Sequence, residues 1–223
     1  MAKKKKKFNW GKKGMQYTPP TGEDFIYDEF LSGIERYGYL EYVPEEEMDR
    51  VKTQMVTQSW PFINDYSGRQ YYADAEKLAE KGVAAFLEKI RPFLERQGVQ
   101  LKSIEEYFDE EYRITVNGKE ITIWSRKEED EDSRREETPG LTWGLSTVRT
   151  FSLVNELLEE AGSEERLYAV GGGNDLDAFF LTPELADFMC DSPQVLVKDR
   201  PYIPVAEPPR YGQPHAPDMN EEF

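Results

Sequence analysis

The run Tyr112-Arg113-Ile114-Thr115-Val116-Asn117-Gly118-Lys119-Glu120-Ile121-Thr122-Ile123-Trp124 reads as a β-hairpin. Asn-Gly tolerates the positive φ angles that a two-residue turn demands, and its flanks are β-branched and aromatic. Ile114 and Val116 alternate with Arg113 and Thr115, while Ile121 and Ile123 bracket Thr122. One face of the hairpin is therefore expected to pack on helices while the other stays in water, as in an antiparallel sheet.

On the C-terminal side, Arg126 to Glu137 is a charge run with no apolar residue to bury, and the stretch of about 126–140 is expected to be a mobile acidic loop. Thr142 or Ser146 then offers a cap for a helix carrying Val148, Phe151, Leu153, Val154, Leu157 and Leu158, which Gly162 ends. A second strand pair, Arg166 to Val170 and Leu176 to Leu181, is joined by Gly171-Gly172-Gly173-Asn174-Asp175. Pro183 begins a short helix to about Cys190, and Val195-Leu196-Val197 suggests a further strand. Residues 201–223 are Pro-rich and read as an extended, weakly ordered tail.

On the N-terminal side the periodicity is helical. Leu78, Ala79, Val83, Phe86, Leu87, Ile90 and Leu94 share one face of a helix expected from about Ala73 to Gln97, with Pro92 as a kink or the start of a separate last turn. Phe25, Ile26, Phe30, Leu31 and Ile34 mark an earlier helix ending near Gly38. Another begins at Pro44, where Glu45, Glu46 and Glu47 favour the positive end of the dipole. Its stripe is Met48, Val51, Met55 and Val56, and Pro61 marks its end. Residues 1–20 read as a flexible Lys-rich arm without regular structure. The expected fold is α+β: a helical N-terminal half followed by an antiparallel sheet of two β-hairpins packed against helices. It is read as a single domain over 21–200, between the arm and the tail.

Composition excludes much chemistry. One cysteine rules out an intramolecular disulfide and a cysteine-based zinc site. Cys190 reads as a small buried thiol. The single histidine, His215, lies in the Pro-rich tail, so multi-histidine metal sites are impossible and any Ser-His-Asp or Cys-His arrangement would have to recruit it. No apolar run approaches the roughly 20 residues needed to span a bilayer. Phe8, Asn9, Trp10 and Gly11 stand where a secretory signal needs its apolar stretch, and a soluble cytoplasmic protein is expected.

The Gly171–Asp175 stretch could free the backbone to cradle a phosphate. No Gly-Lys-Ser/Thr follows, and a strand rather than a helix comes next, so the P-loop and dinucleotide fingerprints both fail. A hairpin turn is the reading. Carboxylate neighbours such as Glu105-Glu106, Asp109-Glu110-Glu111 and Glu45-Glu46-Glu47 are so frequent that they read as solvated faces. No calcium-loop spacing occurs. No catalytic residue, metal set or cofactor is assigned. Tyr17, Tyr27, Tyr37, Tyr39, Tyr42, Tyr66, Tyr71 and Tyr72 crowd the first third of the chain, suiting either the margins of a core or a contact surface.

Charge gives the functional expectation. The chain has 44 acidic and 28 basic residues, a formal charge of −16. Seven of those basic residues are lysines among the first fourteen positions, so the body carries about −23 beneath an arm of about +7. Such a body repels nucleic acid and anionic lipid and attracts basic protein surfaces; only the arm suits phosphate. In size, acidity and mixed α+β texture the chain resembles bacterial immunity proteins against secreted toxins, a likeness of character rather than of any residue motif. The expectation is a non-catalytic inhibitor of a basic partner, such as a toxin or nuclease. Glu128, Glu129, Asp130, Glu131 and Asp132 of the acidic run, with Asn174, Asp175 and Asp177 of the Gly-rich turn, are the expected contact residues. Two alternatives are a divalent-metal-dependent enzyme using carboxylates near that turn and a nucleic-acid mimic.

Overall fold

The structure is a computed structural model that describes residues 7–9, 16–18, 22–57, 67–134 and 140–206. Asn117 and Gly118 take φ of 52° and 85°, as the two-residue turn requires, and Val116 pairs directly with Lys119. The strands are β5 (Tyr112–Val116) and β6 (Lys119–Trp124), preceded by β4 (Ile104–Phe108), which pairs antiparallel with β5. The second hairpin, β7 (Arg166–Val170) with β8 (Asp175–Leu181), also gains a strand, β3 (Gln70–Asp74), on its β8 side. The fold is α+β as expected, but the two hairpins lie in separate three-stranded antiparallel sheets.

The helices are α1 (Gly22–Arg36), α2 (Met48–Thr57), α3 (Ala75–Ala79), α4 (Val83–Arg96), α5 (Arg126–Asp132), α6 (Leu141–Glu160) and α7 (Pro183–Asp191). Among the described residues no helix is long and apolar enough to cross a membrane. The chain divides into two compact units: Met1–Gln70 with Glu184–Leu196, and Tyr71–Pro183 with Val197–Phe223.

In the first unit, Ile34, Tyr39, Val51 and Met55 are buried. The Phe188 ring of α7 stacks on Phe30 with centroids 5.8 Å apart and lies 5.1 Å from the Tyr37 ring. Gly33 permits that approach, because a Cβ there would fall 2.0 Å from the Phe188 ring. Lys52 bridges α2 to Glu35 of α1 at 2.6 Å. Arg69 is the largest fully buried side chain. Its Nε donates to the Tyr39 carbonyl at 3.0 Å and its Nη2 to the Gly38 carbonyl at 2.9 Å, tying down the turn that follows α1. The guanidinium carbon also sits 4.4 Å from the Tyr42 ring centroid, and Glu41 is 3.8 Å away. A buried charge needs this kind of surround.

In the second unit, α6 carries the core. Phe151, Leu153, Val154 and Leu158 are buried, and the helix packs against α3, α5, β6 and β7. Phe93 of α4 stacks on Phe180 of β8 at 3.9 Å, and Phe86 lies parallel to Phe151 at 6.5 Å. The Trp124 indole donates to the Ala79 carbonyl at 2.9 Å, so its N–H is not stranded.

Several expectations are corrected. The single helix read over about 73–97 is a strand end and two helices, broken at Lys81 (φ 66°) and Gly82. A Cβ at Gly82 would meet the Lys77 carbonyl at 2.3 Å, so only glycine lets the chain turn so tightly. All the residues of the expected stripe are buried nonetheless. Through Pro92 the helix α4 runs on without interruption. No strand forms at Val195–Val197; Val197–Asp199 is a 3-10 turn. Instead Tyr202, inside the expected tail, exchanges two backbone hydrogen bonds with Ala169 at 2.8 and 3.0 Å. Cys190 is half-buried rather than fully buried. The arm, read as irregular, contains paired strands β1 (Lys7–Asn9) and β2 (Gln16–Thr18), whose aromatic Phe8 and Tyr17 stand opposite each other in register.

Arg69→Ala should destabilise the first unit by about 3 kcal/mol in urea denaturation, since it removes a fully buried guanidinium that donates to the buried Tyr39 carbonyl and the part-buried Gly38 carbonyl. Arg69→Lys should recover only part of that, lacking the planar fork that reaches both oxygens.

Candidate protein-binding surface

The charge run expected to be a loop folds instead as α5, which buries no residue. Local and tertiary electrostatics hold it. Glu128 reaches back to accept from the Ser125 N–H at 2.8 Å and the Ser125 hydroxyl at 2.9 Å. Arg149 of α6 grips the same carboxylate with both Nη atoms, at 3.0 and 2.6 Å, and also donates to the Ile123 carbonyl. The Arg149 contact, with the Ser125 donors, brings the Glu128 pKa down to about 2. Arg126 pairs with Glu129 at 3.5 Å and Asp130 at 3.2 Å, along the exposed side of the helix. Glu131 is exposed on the same helix.

Asp132 performs the task expected of Thr142 or Ser146. Its Oδ1 accepts from the Gly140 and Leu141 N–H groups, both at 2.9 Å, and its Oδ2 from the Thr142 N–H at 3.1 Å and hydroxyl at 2.9 Å. Partial burial works to raise its pKa, but these donors outweigh it and hold the carboxyl below its ordinary value. Ser146 donates within α6, to the Thr142 carbonyl.

The Gly-rich turn is also built into the fold. Gly171 and Gly173 have φ of 75° and 92°, the left-handed region that explains the glycines. The Asn174 carbonyl accepts from the Ala75 N–H and its Oδ1 from the Glu76 N–H, each at 2.9 Å, while Asp74 accepts from Lys77 at the same helix start. Asp175 accepts from the Tyr72 hydroxyl, and that bond pushes the Tyr72 pKa up to about 12. Asp177 stands in the β8 ladder opposite Val170. Among the described residues, no group of three or more His, Cys, Asp or Glu side chains is placed to hold a metal ion.

An outward acidic and aromatic surface lies elsewhere, on the β4-β5-β6 sheet. Tyr112, Ile114, Val116, Ile123 and Trp124 are buried on its inner side. There the Glu106 carboxylate accepts from the Tyr112 hydroxyl and from the Ala84 N–H at 2.9 Å, and the Tyr112 oxygen accepts from the Val83 N–H at 3.0 Å. Burial, then the Glu106 bond, raises the Tyr112 pKa far above its ordinary value.

On the outer side, Tyr107 is 46% exposed and donates to Glu105 at 2.6 Å. Arg113 stands 5.7 Å from the Tyr107 ring and pairs with Glu120 at 3.0 Å and Glu111 at 2.9 Å. One guanidinium thus pairs with two carboxylates beside an exposed tyrosine that holds a third, Glu105, with Asp109 and Glu110 in the adjoining turn. Reading Glu105-Glu106 as a solvated face overlooked this strand. The signal was Ile104, Tyr107 and Phe108, three strand-favouring residues in five.

The depressed Glu128 pKa implies a pH-linked contribution from its bond to Arg149: present above the unfolded value near 4.5 and lost as pH falls toward about 2. In urea melts, Glu128→Gln should cost about 1 kcal/mol near pH 7, allowing for screening at a partly exposed pair, and most of that cost should be gone near pH 2. No protein-family profile, curated protein or solved structure matches the chain, so its functional reading rests on this geometry.

Proposed function

We propose that the chain is a non-catalytic acidic protein that neutralises a basic partner protein, an inhibitor of the immunity kind acting in a bacterial cytoplasm against a toxin or nuclease. The observation that carries this reading is the charge imbalance, −16 overall, together with the outward sheet face that gathers Glu105, Glu111 and Glu120 around Tyr107. Long-range attraction would steer a cationic partner toward such a face, and an exposed tyrosine among carboxylates provides the anchor that interfaces favour. Glu129, Asp130 and Glu131 on the exposed side of α5 add to the steering field. Glu128 and Asp132 serve chiefly to hold α5 and α6 together.

The test is affinity capture with the tagged full-length chain from its native host, followed by association kinetics with the captured protein. The expected outcome is one stoichiometric basic protein whose association rate falls at least about tenfold between about 50 and about 500 mM salt. A captured partner of neutral or acidic character, or a rate indifferent to salt, would overturn the reading.

A further inference from the structure

We infer that β4 is the docking strand: an extended basic segment of the partner adds to its open edge as a fourth strand of the β4-β5-β6 sheet. This rests on the proposed function and specifies how the partner is held. The backbone pairing identifies which groups are open. Asn117 N–H donates to the Ser103 carbonyl at 3.0 Å, and Asp109 N–H to the Glu111 carbonyl at 3.1 Å. In an antiparallel ladder bonded residues alternate along the strand, so Glu105 and Tyr107 also turn their main-chain groups toward β5. Ile104, Glu106 and Phe108 turn theirs the other way, off the edge of the sheet. Among the described residues no backbone or side-chain group pairs with those N–H and C=O groups.

Charge decides the occupant. A second copy of β4 would set Glu105, Asp109 and Glu110 near their own like, which opposes pairing of the edge with itself. A strand bearing Lys or Arg on alternate residues would place those cations beside Glu105 and the Tyr107 ring, on the outer side of β4. The residues between them would fall on the side of Phe108, 38% exposed, where apolar side chains suit the contact. The ring of Phe108 is already held by Trp124 at 5.4 Å and by Lys81 at 4.6 Å, so the edge is pre-shaped on that side. The fitting segment is therefore an alternating basic and apolar strand.

Residue-resolved amide hydrogen exchange on the full chain tests this, using as probe an end-blocked peptide of about eight alternating Lys and Val residues at about 50 mM salt. The amides of Glu106 and Phe108 should slow at least about tenfold, while those of Glu105 and Tyr107, already in the ladder, change little. The same peptide N-methylated at alternate residues on its bonding edge should lose this protection. A Glu105→Lys variant with an unchanged circular dichroism spectrum should bind the probe at least about tenfold more weakly. Protection that appears elsewhere, with Glu106 and Phe108 unaltered, overturns the docking strand and leaves the basic-partner reading standing. Absence of slowing anywhere also overturns it. The broader reading fails separately, if capture from the host returns no basic protein.

Discussion

The amide groups at the first turns of helices have no partner within the helix, and in the second unit that deficit organises the packing. Neither Gly82, before α4, nor Gly140, before α6, has a side chain with which to cap its helix. Both starts are served from other elements: α4 by Glu106 of β4 and Tyr112 of β5, α6 by Asp132 at the end of α5. The start of α3 combines its own Asp74 with Asn174 from the β7–β8 turn. Each cap joins two elements, so helix formation and tertiary assembly depend on the same hydrogen bonds. An acid near a helix start also complements the helix dipole, which helps explain why carboxylates do this work.

The acidic residues consequently fall into two populations. Glu106, Glu128, Asp132 and Asp74 face hydrogen-bond donors within the fold. Glu111 and Glu120 face water around a single arginine, Glu105 does so beside Tyr107, and Asp109 and Glu110 extend the same edge. Composition counts both populations alike, but only the second can meet a partner without dismantling a cap. The acids singled out from the charge run and the Gly-rich turn divide between the two. Glu129, Asp130 and Glu131 lie outward, whereas Glu128, Asp132 and Asn174 brace helices and Asp175 holds Tyr72.

The tyrosines divide in a similar way. Tyr39 is buried in the first unit, its carbonyl accepting from Arg69, while Tyr37 and Tyr72 are exposed at 36% and 45%. Among the described tyrosines of that crowded stretch, burial therefore differs from one to the next. The tyrosine that centres the proposed contact face, Tyr107, lies outside that cluster. It is placed there by the pairing of β4 with β5.

Where a structural choice depends on neighbours along the chain, the amino-acid order was enough. Asn117-Gly118 determined the β5–β6 turn, alternating apolar residues determined which side of β5 is buried, and helical spacing located α1, α2 and α6. Gly171 and Gly173 made the β7–β8 connection a turn for the same local reason. Other choices needed distant partners. Arg126–Asp132 has no apolar stripe to announce a helix, and it is held by an arginine 21 residues further on. The break before α4 depends on a tight approach to the Lys77 carbonyl. β4 hides its alternation behind two glutamates and becomes a strand because β5 offers it a ladder. Local φ preferences and periodicity are properties of a segment, whereas a cap, an ion pair or an open edge exists only once two segments meet.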